Sequence, residues 1–522
     1  MQRMTILDST LRDGAQGESV SFSVSDKLNI ARSLDDFGVD YIEAGNPGSN
    51  PKDLEFFEKA ASLRLLSARL CAFGSTRRKG VSAGEDENLL ALLRANTSAA
   101  VVFGKTWDLH VSEVLRAPLA ENLEMIADTV RFLKSQGREV IFDAEHFYDG
   151  YVANPDYARE VLRTAARAGA DILCLCDTNG GMLPLRIFEV TGKVCGEFDI
   201  PIGVHTHNDS GCAVANTLTA VEAGAAHVQG TFIGIGERCG NADLSSVIPD
   251  IALKTGRAIG GDLTKLTSTA GRIAEIANIP LSPGKPYVGG SAFAHKGGMH
   301  KDAMQKNSAT YEHVDPALVG NTRRFLISEV DGGSGVLLKA SQYAPGLAKS
   351  SPELARIVER IKEMEHYGYQ FEAADASFEL LVKKVLGTYA SHFTLVMYKT
   401  IGEFPAAEGV APSTAAIKID VDGKTEIAAA MGKGPVNALD IALRKALTVF
   451  YPELSEMKLT DYKVRVLDAS GTTAAKVRVL IESADASGAW TTIGVSDDII
   501  EASLAALVDS IEYKLSASSR TP

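Results

Sequence analysis

The sequence predicts an α/β protein with an N-terminal (β/α)8 TIM barrel, helical linker subdomains and a C-terminal duplicated βββα domain. Three observations carry that prediction. Short apolar runs alternate with amphipathic segments eight times before residue 262, the count and size of a (β/α)8 barrel. No G-x-G-x-x-G follows the first run, which weakens an open doubly wound sheet as the competitor. Beyond residue 390 a strand–strand–strand–helix pattern occurs twice, at an offset of roughly 60 residues.

The predicted barrel strands are 4–8, 39–45, 69–74, 99–104, 139–145, 171–177, 202–207 and 227–234. Helical spacing of apolar residues marks 23–38, 123–137 and 155–170 between them, as expected of helices packed on a sheet. Ser23 and Ser25 offer N-cap chemistry, and Gly38, Gly137 and Gly169 stand where helix C-caps belong. Residues 262–380 read as helical and less regular, with a Gly/His-rich segment at 293–304 and a glycine-rich run at 331–335. The duplicated end reads as strands 392–403, 415–423 and 424–432, a helix 437–451, strands 462–469, 474–483 and 490–497, and a helix 499–515. The expected domains are therefore 1–262, 263–385 and 386–515, with a frayed tail.

Composition bounds the function. The chain has 522 residues, 45% hydrophobic and 23% charged, which excludes a mainly disordered or disulfide-scaffold protein. A formal net charge of −13 disfavours nucleic acid and anionic membranes as partners. An anionic substrate then needs a local basic group or a metal. The six cysteines form no C-x-x-C pair and read as reduced thiols. The first residues carry no apolar signal core, and no run reaches the length of a membrane span. A cytoplasmic enzyme is the expectation.

In a barrel, chemistry gathers at the C-terminal strand ends. V-H-T-H-N-D places His205 and His207 two apart on the seventh strand, so both imidazoles project from one face. They read either as satisfied strand-end residues or as a ligand pair for a divalent metal. D-S-T-L-R-D-G-A-Q brings Arg12 and Asp13 to the mouth after the first strand. G-I-G-E-R-C-G-N-A-D-L follows the eighth and offers the Asn241 carbonyl oxygen. Strands one, seven and eight are neighbours in a closed barrel, so Asp13, His205, His207 and Asn241 converge. Such mixed N and O ligation suits Mg, Mn or Zn as a Lewis acid. Glu145 is a candidate base, and Glu43 and Thr178 are candidate substrate-binding residues at strand ends. Arg77, Arg78 and Lys79 form a basic cluster after strand three, either a solvated loop or a site for the phosphates of an anionic cofactor. His295 and His300 flank paired glycines, either a surface loop or a mobile acid/base segment. Cys174 and Cys176 read as core, and Cys239 is assigned no role.

L-R-D-G-A-Q, H-T-H-N-D and G-E-R-C-G-N-A-D-L, in this order on a (β/α)8 pattern, resemble the DRE-TIM metallolyases. Within that group the chain is similar to the α-isopropylmalate, homocitrate and citramalate synthases. The long-chain (R)-citramalate synthase branch matches best, through F-G-S-T-R-R, F-G-K-T-W-D-L-H-V, F-D-A-E-H-F-Y-D-G and C-D-T-N-G-G. The resemblance implies a metal-dependent acyltransferase that condenses acetyl-CoA with a 2-oxo acid and hydrolyses the thioester. Pyruvate as that acid gives (R)-citramalate, at the entry to isoleucine synthesis; a longer acid gives isopropylmalate or homocitrate. It implies Asp13, His205 and His207 as metal ligands, with Asn241 close or ligating. It further implies Arg12 on the oxo acid oxygen, Thr178 on the substrate carboxylate, and Glu145 with His300 in removing the acetyl proton. In relatives that histidine comes from the partner subunit, which implies a homodimer. The duplicated end resembles an amino-acid-binding regulatory domain. One departure is Asp143, where some relatives carry an aromatic residue that touches the substrate.

Overall fold

The fold was analysed on a computed structural model, which describes residues 3–295, 297, 300, 303–304, 306–325, 333–371, 374–403, 412–467, 475–486 and 488–518. Most of the Gly/His-rich segment between 296 and 302 lies outside them, as do residues 331 and 332 of the glycine-rich run and the last four of the tail. The chain divides into two compact units, Met1–Phe293 with Glu312–Arg323, and Ala294–Tyr311 with Arg324–Pro522.

The first unit is built on a closed barrel of eight parallel strands in sequential order. They are β1 (Thr5–Asp8), β2 (Tyr41–Glu43), β3 (Arg69–Ser75), β4 (Ala99–Lys105), β5 (Glu139–Glu145), β6 (Ile172–Asp177), β7 (Ile202–Thr206) and β8 (His227–Gly230). Strand alternation splits the side chains between two cores. Ile6, Ile42, Ala72, Ala100 and Val140 join the main core with the helices. Their neighbours Leu7, Tyr41, Cys71, Ala99, Val101 and Ile141 make a separate cluster inside the barrel.

The predicted helix punctuation is present. Ser23 and Asp26 form a reciprocal capping box at the start of Val24–Phe37, and Gly38 ends that helix at φ 103°. The eighth strand is shorter than predicted. It stops at Gly230 because the Phe232 N–H is taken by Asp8 Oδ2 (3.1 Å) and Thr10 Oγ1 (2.9 Å). The chain then turns through Phe232–Gly234, with Ile233 left-handed at φ 59°. Burial drives the Asp8 carboxyl up to about 7 despite these donors.

In the second unit, β9 (Ala294–His295) pairs with β10 (Arg324–Phe325), and the helices Pro352–Tyr367 and Asp375–Leu386 follow. Two antiparallel three-stranded sheets come next: β11 (Thr394–Gly402), β12 (Ser413–Val421) and β13 (Lys424–Gly432), then β14 (Lys458–Val466), β15 (Val477–Asp485) and β16 (Gly488–Ser496). Each is closed by one helix, Pro435–Leu447 or Ile499–Ser518. The predicted βββα duplication is the observed one. Ala415, Ile417 and Ile419 of β12, Val479 and Ile481 of β15, and Leu439, Leu443, Leu507 and Ile511 of the helices share one core. The outer strands behave differently. Val396, Met397, Tyr398 and Ile401 of β11, and Leu459, Val464 and Val466 of β14, are exposed apolar side chains. Among the described residues no helix is long and apolar enough to cross a membrane.

Candidate active site

The strand-end residues of β1, β7 and β8 meet as the barrel geometry requires. Asp13 lies five residues past β1, and its backbone N–H donates to Ser9 Oγ (3.2 Å). His205 and His207 lie on and just past the end of β7. Their Nε2 atoms approach the same carboxylate oxygen, Asp13 Oδ2, at 3.6 and 3.9 Å. All three residues are buried, and one ligand atom from each lies within 4.8 Å of the others.

The tautomer of His205 follows from its neighbours. Its Nδ1 faces Gln229 Oε1 at 2.9 Å, and a carbonyl oxygen accepts, so Nδ1 carries the hydrogen and Nε2 presents a lone pair. Gln229 is fixed in that sense because its Nε2 donates to Asp143 Oδ1 (2.9 Å). Burial, then His205, holds the His207 imidazole down to about 4, so it is neutral near pH 7. Burial alone would raise the Asp13 carboxyl, but Arg12, His205 and His207 hold it well below the usual carboxylate range.

Asn241 completes the cluster from the glycine-rich loop after β8. Its Nδ2 donates to Asp13 Oδ1 (2.8 Å), and its Oδ1 is buried without a hydrogen-bond partner. The loop reaches this position by pairing with the end of β7, where Asn208 N–H donates to Gly240 O and Ala242 N–H to Thr206 O, both at 2.9 Å. A Cβ on Gly236 would stand 2.1 Å from Asn241 Nδ2, so only glycine admits this approach. Two imidazole lone pairs, one ionised carboxylate and an orphaned amide oxygen are a donor set that fits a hard or borderline divalent cation.

Arg12 is the cation of the site. Its Nε–H donates to Glu43 Oε2 (2.6 Å) and its Nη1 to Asp13 Oδ2 (2.8 Å). The guanidinium lies 3.9 Å from the Phe73 ring centroid. Burial opposes its charge, but Glu43 and then Asp13 hold it protonated. Glu43, expected to touch substrate, lies instead behind Arg12. It is fully buried, and Ser9 Oγ donates to the oxygen that Arg12 uses. β2 is three residues long and ends at Glu43, which is not among the cavity's lining residues.

The cavity above these groups encloses about 220 Å³ and is lined by Arg12, Asp13, Glu145, Thr178, His205 and His207, with Phe73 and Phe103 on one wall. The two phenyl rings stack at 5.2 Å. Thr178 Oγ1 accepts from the His146 N–H (2.8 Å), which leaves its own O–H free to donate. Burial, then Glu43, pushes Asp143 up to about 8, so this lining carboxyl is neutral near pH 7. Asp143 also stands close to Cys174 and Cys176, but burial pushes the Cys174 thiol well above its ordinary value, which makes a poor thiolate donor.

Two predicted groups are not among the residues that line this cavity. Arg77 of the basic cluster is buried and committed to Asp128 at 2.8 Å. Arg78 and Lys79 keep side chains 64% and 47% exposed, although Arg78 reaches Asp86 and Lys79 the Arg116 carbonyl. His300 belongs to the second unit, exposed and stacked on Tyr311 at 4.0 Å. Gln229, Phe73, Phe103 and Lys105 were missed by the sequence reading. Gln229 was visible as a polar residue in the inward register beside His205, and Lys105 as the residue opposite Glu145.

A model described as HMGL-like matches residues 3–273, one described as homocitrate synthase post-HMGL domain-like matches 287–368, and one described as LeuA allosteric (dimerisation) domain matches 372–515. The chain is 51% identical to an (R)-citramalate synthase of Geobacter sulfurreducens over 99% of its length and 98% of that protein's. It is also 51% identical to an (R)-citramalate synthase of Aquifex aeolicus, over 98% of both. Identity falls to 32% with a 2-isopropylmalate synthase of Methanocaldococcus jannaschii, over 98% of this chain and 94% of the relative. The chain therefore belongs to the HMGL-like family and, within it, to the (R)-citramalate synthases.

Proposed function

We propose that the chain condenses acetyl-CoA with pyruvate and hydrolyses the thioester to give (R)-citramalate and CoA. The observation that carries this reading is the convergence of Asp13, His205 and His207 beside Arg12 in a cavity of about 220 Å³. Asp13, His205 and His207, with Asn241, would hold a divalent cation. That cation, when bound, supplies Lewis-acid polarisation of the keto carbonyl.

The chain's own residues do the rest. Arg12, pinned by Glu43 and Asp13, offers its remaining N–H groups to the oxygen that becomes an alkoxide. Thr178 donates its hydroxyl proton to the substrate carboxylate. Neutral Asp143 adds no repulsion against that anion, which matters in a chain of net charge −13. Glu145 takes the proton from the acetyl methyl group, and His300 is the second proton-transfer group, supplied by the partner subunit of a homodimer. The stacked Phe73 and Phe103 limit the alkyl group of the oxo acid, which favours pyruvate over branched acids. Arg78 and Lys79 are available to CoA phosphates, whereas Arg77 is consumed by Asp128.

The domain partition 1–262, 263–385 and 386–515 belongs to the same reading. Residues 386–515 serve as a regulatory domain for an amino-acid effector, and the apolar faces of β11 and β14 join two copies into a homodimer. The enzyme is cytoplasmic. Thiol release from acetyl-CoA, measured with pyruvate, 2-oxobutanoate and 2-oxoisovalerate, tests the activity. Pyruvate is expected to give the highest kcat/KM, and a preference for 2-oxoisovalerate overturns the substrate assignment.

A further inference from the structure

Strands β4 and β5 pair with Lys105 opposite Glu145. Lys105 Nζ makes an ion pair with Glu145 Oε2, and the two side chains are 17% and 21% exposed. The backbone repeats the link, since Thr106 N–H donates to Glu145 O (3.2 Å). Lys105 Nζ lies 5.6 Å from the centroid of Phe103, a ring of the cavity wall. Beyond it, His110 stacks on Trp107 at 5.3 Å and meets the His146 ring at 4.2 Å. That aromatic packing joins the segments that follow β4 and β5.

We propose that Lys105 is a positioning residue for proton transfer at Glu145. Its ammonium holds the carboxylate in place at the cavity wall. In the step it serves, the methyl C–H bond of the acetyl thioester breaks. The proton passes to a Glu145 oxygen, the C–H electron pair forms the new C–C bond to the keto carbon of the oxo acid, and the keto C=O π pair moves onto its oxygen, the alkoxide that Arg12 meets. This rests on Glu145 being the base. Without Lys105 the carboxylate would face the Asp13 and Glu237 carboxylates across the cavity with no ion pair of its own. The titratable and charged groups around Glu145 are Lys105 at the end of β4, His110 after it, His146 and Asp149 after β5, Cys176 on β6, and Arg12, Asp13, Asp143, His205, His207 and Glu237 in the cavity wall. Burial, then His146, lowers His110, which leaves it neutral and Lys105 as the cation on that side.

The test is the pH profile of kcat for Lys105→Met and Lys105→Arg, beside Glu145→Gln, in the full-length enzyme. Lys105→Met is expected to lower kcat roughly 10² fold, the effect of misplacing a reacting group by about 1 Å, with KM for pyruvate little changed. Its acidic limb is expected to move up by about one pH unit or more, as removal of an adjacent cation demands. Lys105→Arg is expected to restore most of the rate and the wild-type limb. Equal losses in both variants with an unmoved limb would make Lys105 a latch between strands and overturn the proposal. So would wild-type behaviour of Lys105→Met. If Lys105→Met fails to fold, Lys105→Gln takes its place with the same criteria. Full activity of Glu145→Gln would instead remove the base assignment itself, a separate failure.

Discussion

The arrangement of Arg12 makes Glu43→Gln the most informative single change. Glu43 is wholly buried and touches no part of the cavity, yet it holds one of the two charged bonds that fix the guanidinium. A hydrogen bond to a charged group contributes about 1.5–3 kcal/mol. Glutamine keeps the shape and one acceptor oxygen, so the loss lies at or below that range. At 1.4 kcal/mol per factor of ten, kcat/KM for pyruvate is expected to fall roughly 10- to 100-fold. Burial screens the pair from salt, so the ratio of variant to wild type is expected to be unchanged between low and high ionic strength. The assay is thiol release at saturating acetyl-CoA, with thermal unfolding run in parallel. A Glu43→Gln enzyme within about threefold of wild type would refute the argument that Glu43 acts through Arg12.

Three other outcomes follow from the geometry. Phe103→Ala opens the aromatic wall, and turnover of 2-oxobutanoate relative to pyruvate is expected to rise about tenfold, the effect of one accommodated methylene; unchanged selectivity by thiol release counts against the wall. Gly236→Ala drives a Cβ into Asn241 and is expected to lower metal affinity about 10- to 100-fold, read by calorimetric titration with Mn²⁺. Asp8 has its folded carboxyl raised from 3.8 to about 7, so the folded state binds the extra proton between those values. Its contribution to stability is full below about pH 4 and is lost as pH rises through about 7. Asp8→Asn removes that dependence, and its stability relative to wild type is expected to increase from pH 4 to 7 in denaturant titrations; parallel curves would contradict the assignment.

Much of this was legible in the residues because barrel strands carry their information in alternation. His205 and His207 had to share a face, and closure had to bring β1 beside β8. What stayed hidden depended on register and depth. Glu43 and Glu145 both end strands, but β2 is three residues long and leaves Glu43 beneath Arg12, whereas β5 carries Glu145 to the rim. In the basic cluster, three adjacent cations look equivalent on paper. Only the packing of Asp128 from the helix Leu119–Ser135 separates Arg77 from its neighbours. The early stop of β8 depended on Asp8 and Thr10, more than 220 residues away, accepting the Phe232 N–H.

The uncovered side chains of β11 and β14 carry a cost for any solitary molecule. An edge strand bearing valine, methionine, tyrosine and isoleucine toward water is a template for indiscriminate pairing. Dilution should then lead less to a quiescent single chain than to precipitation or adsorption. Handling losses at nanomolar concentration would be the first sign of this, well before any change in the chemistry of the barrel.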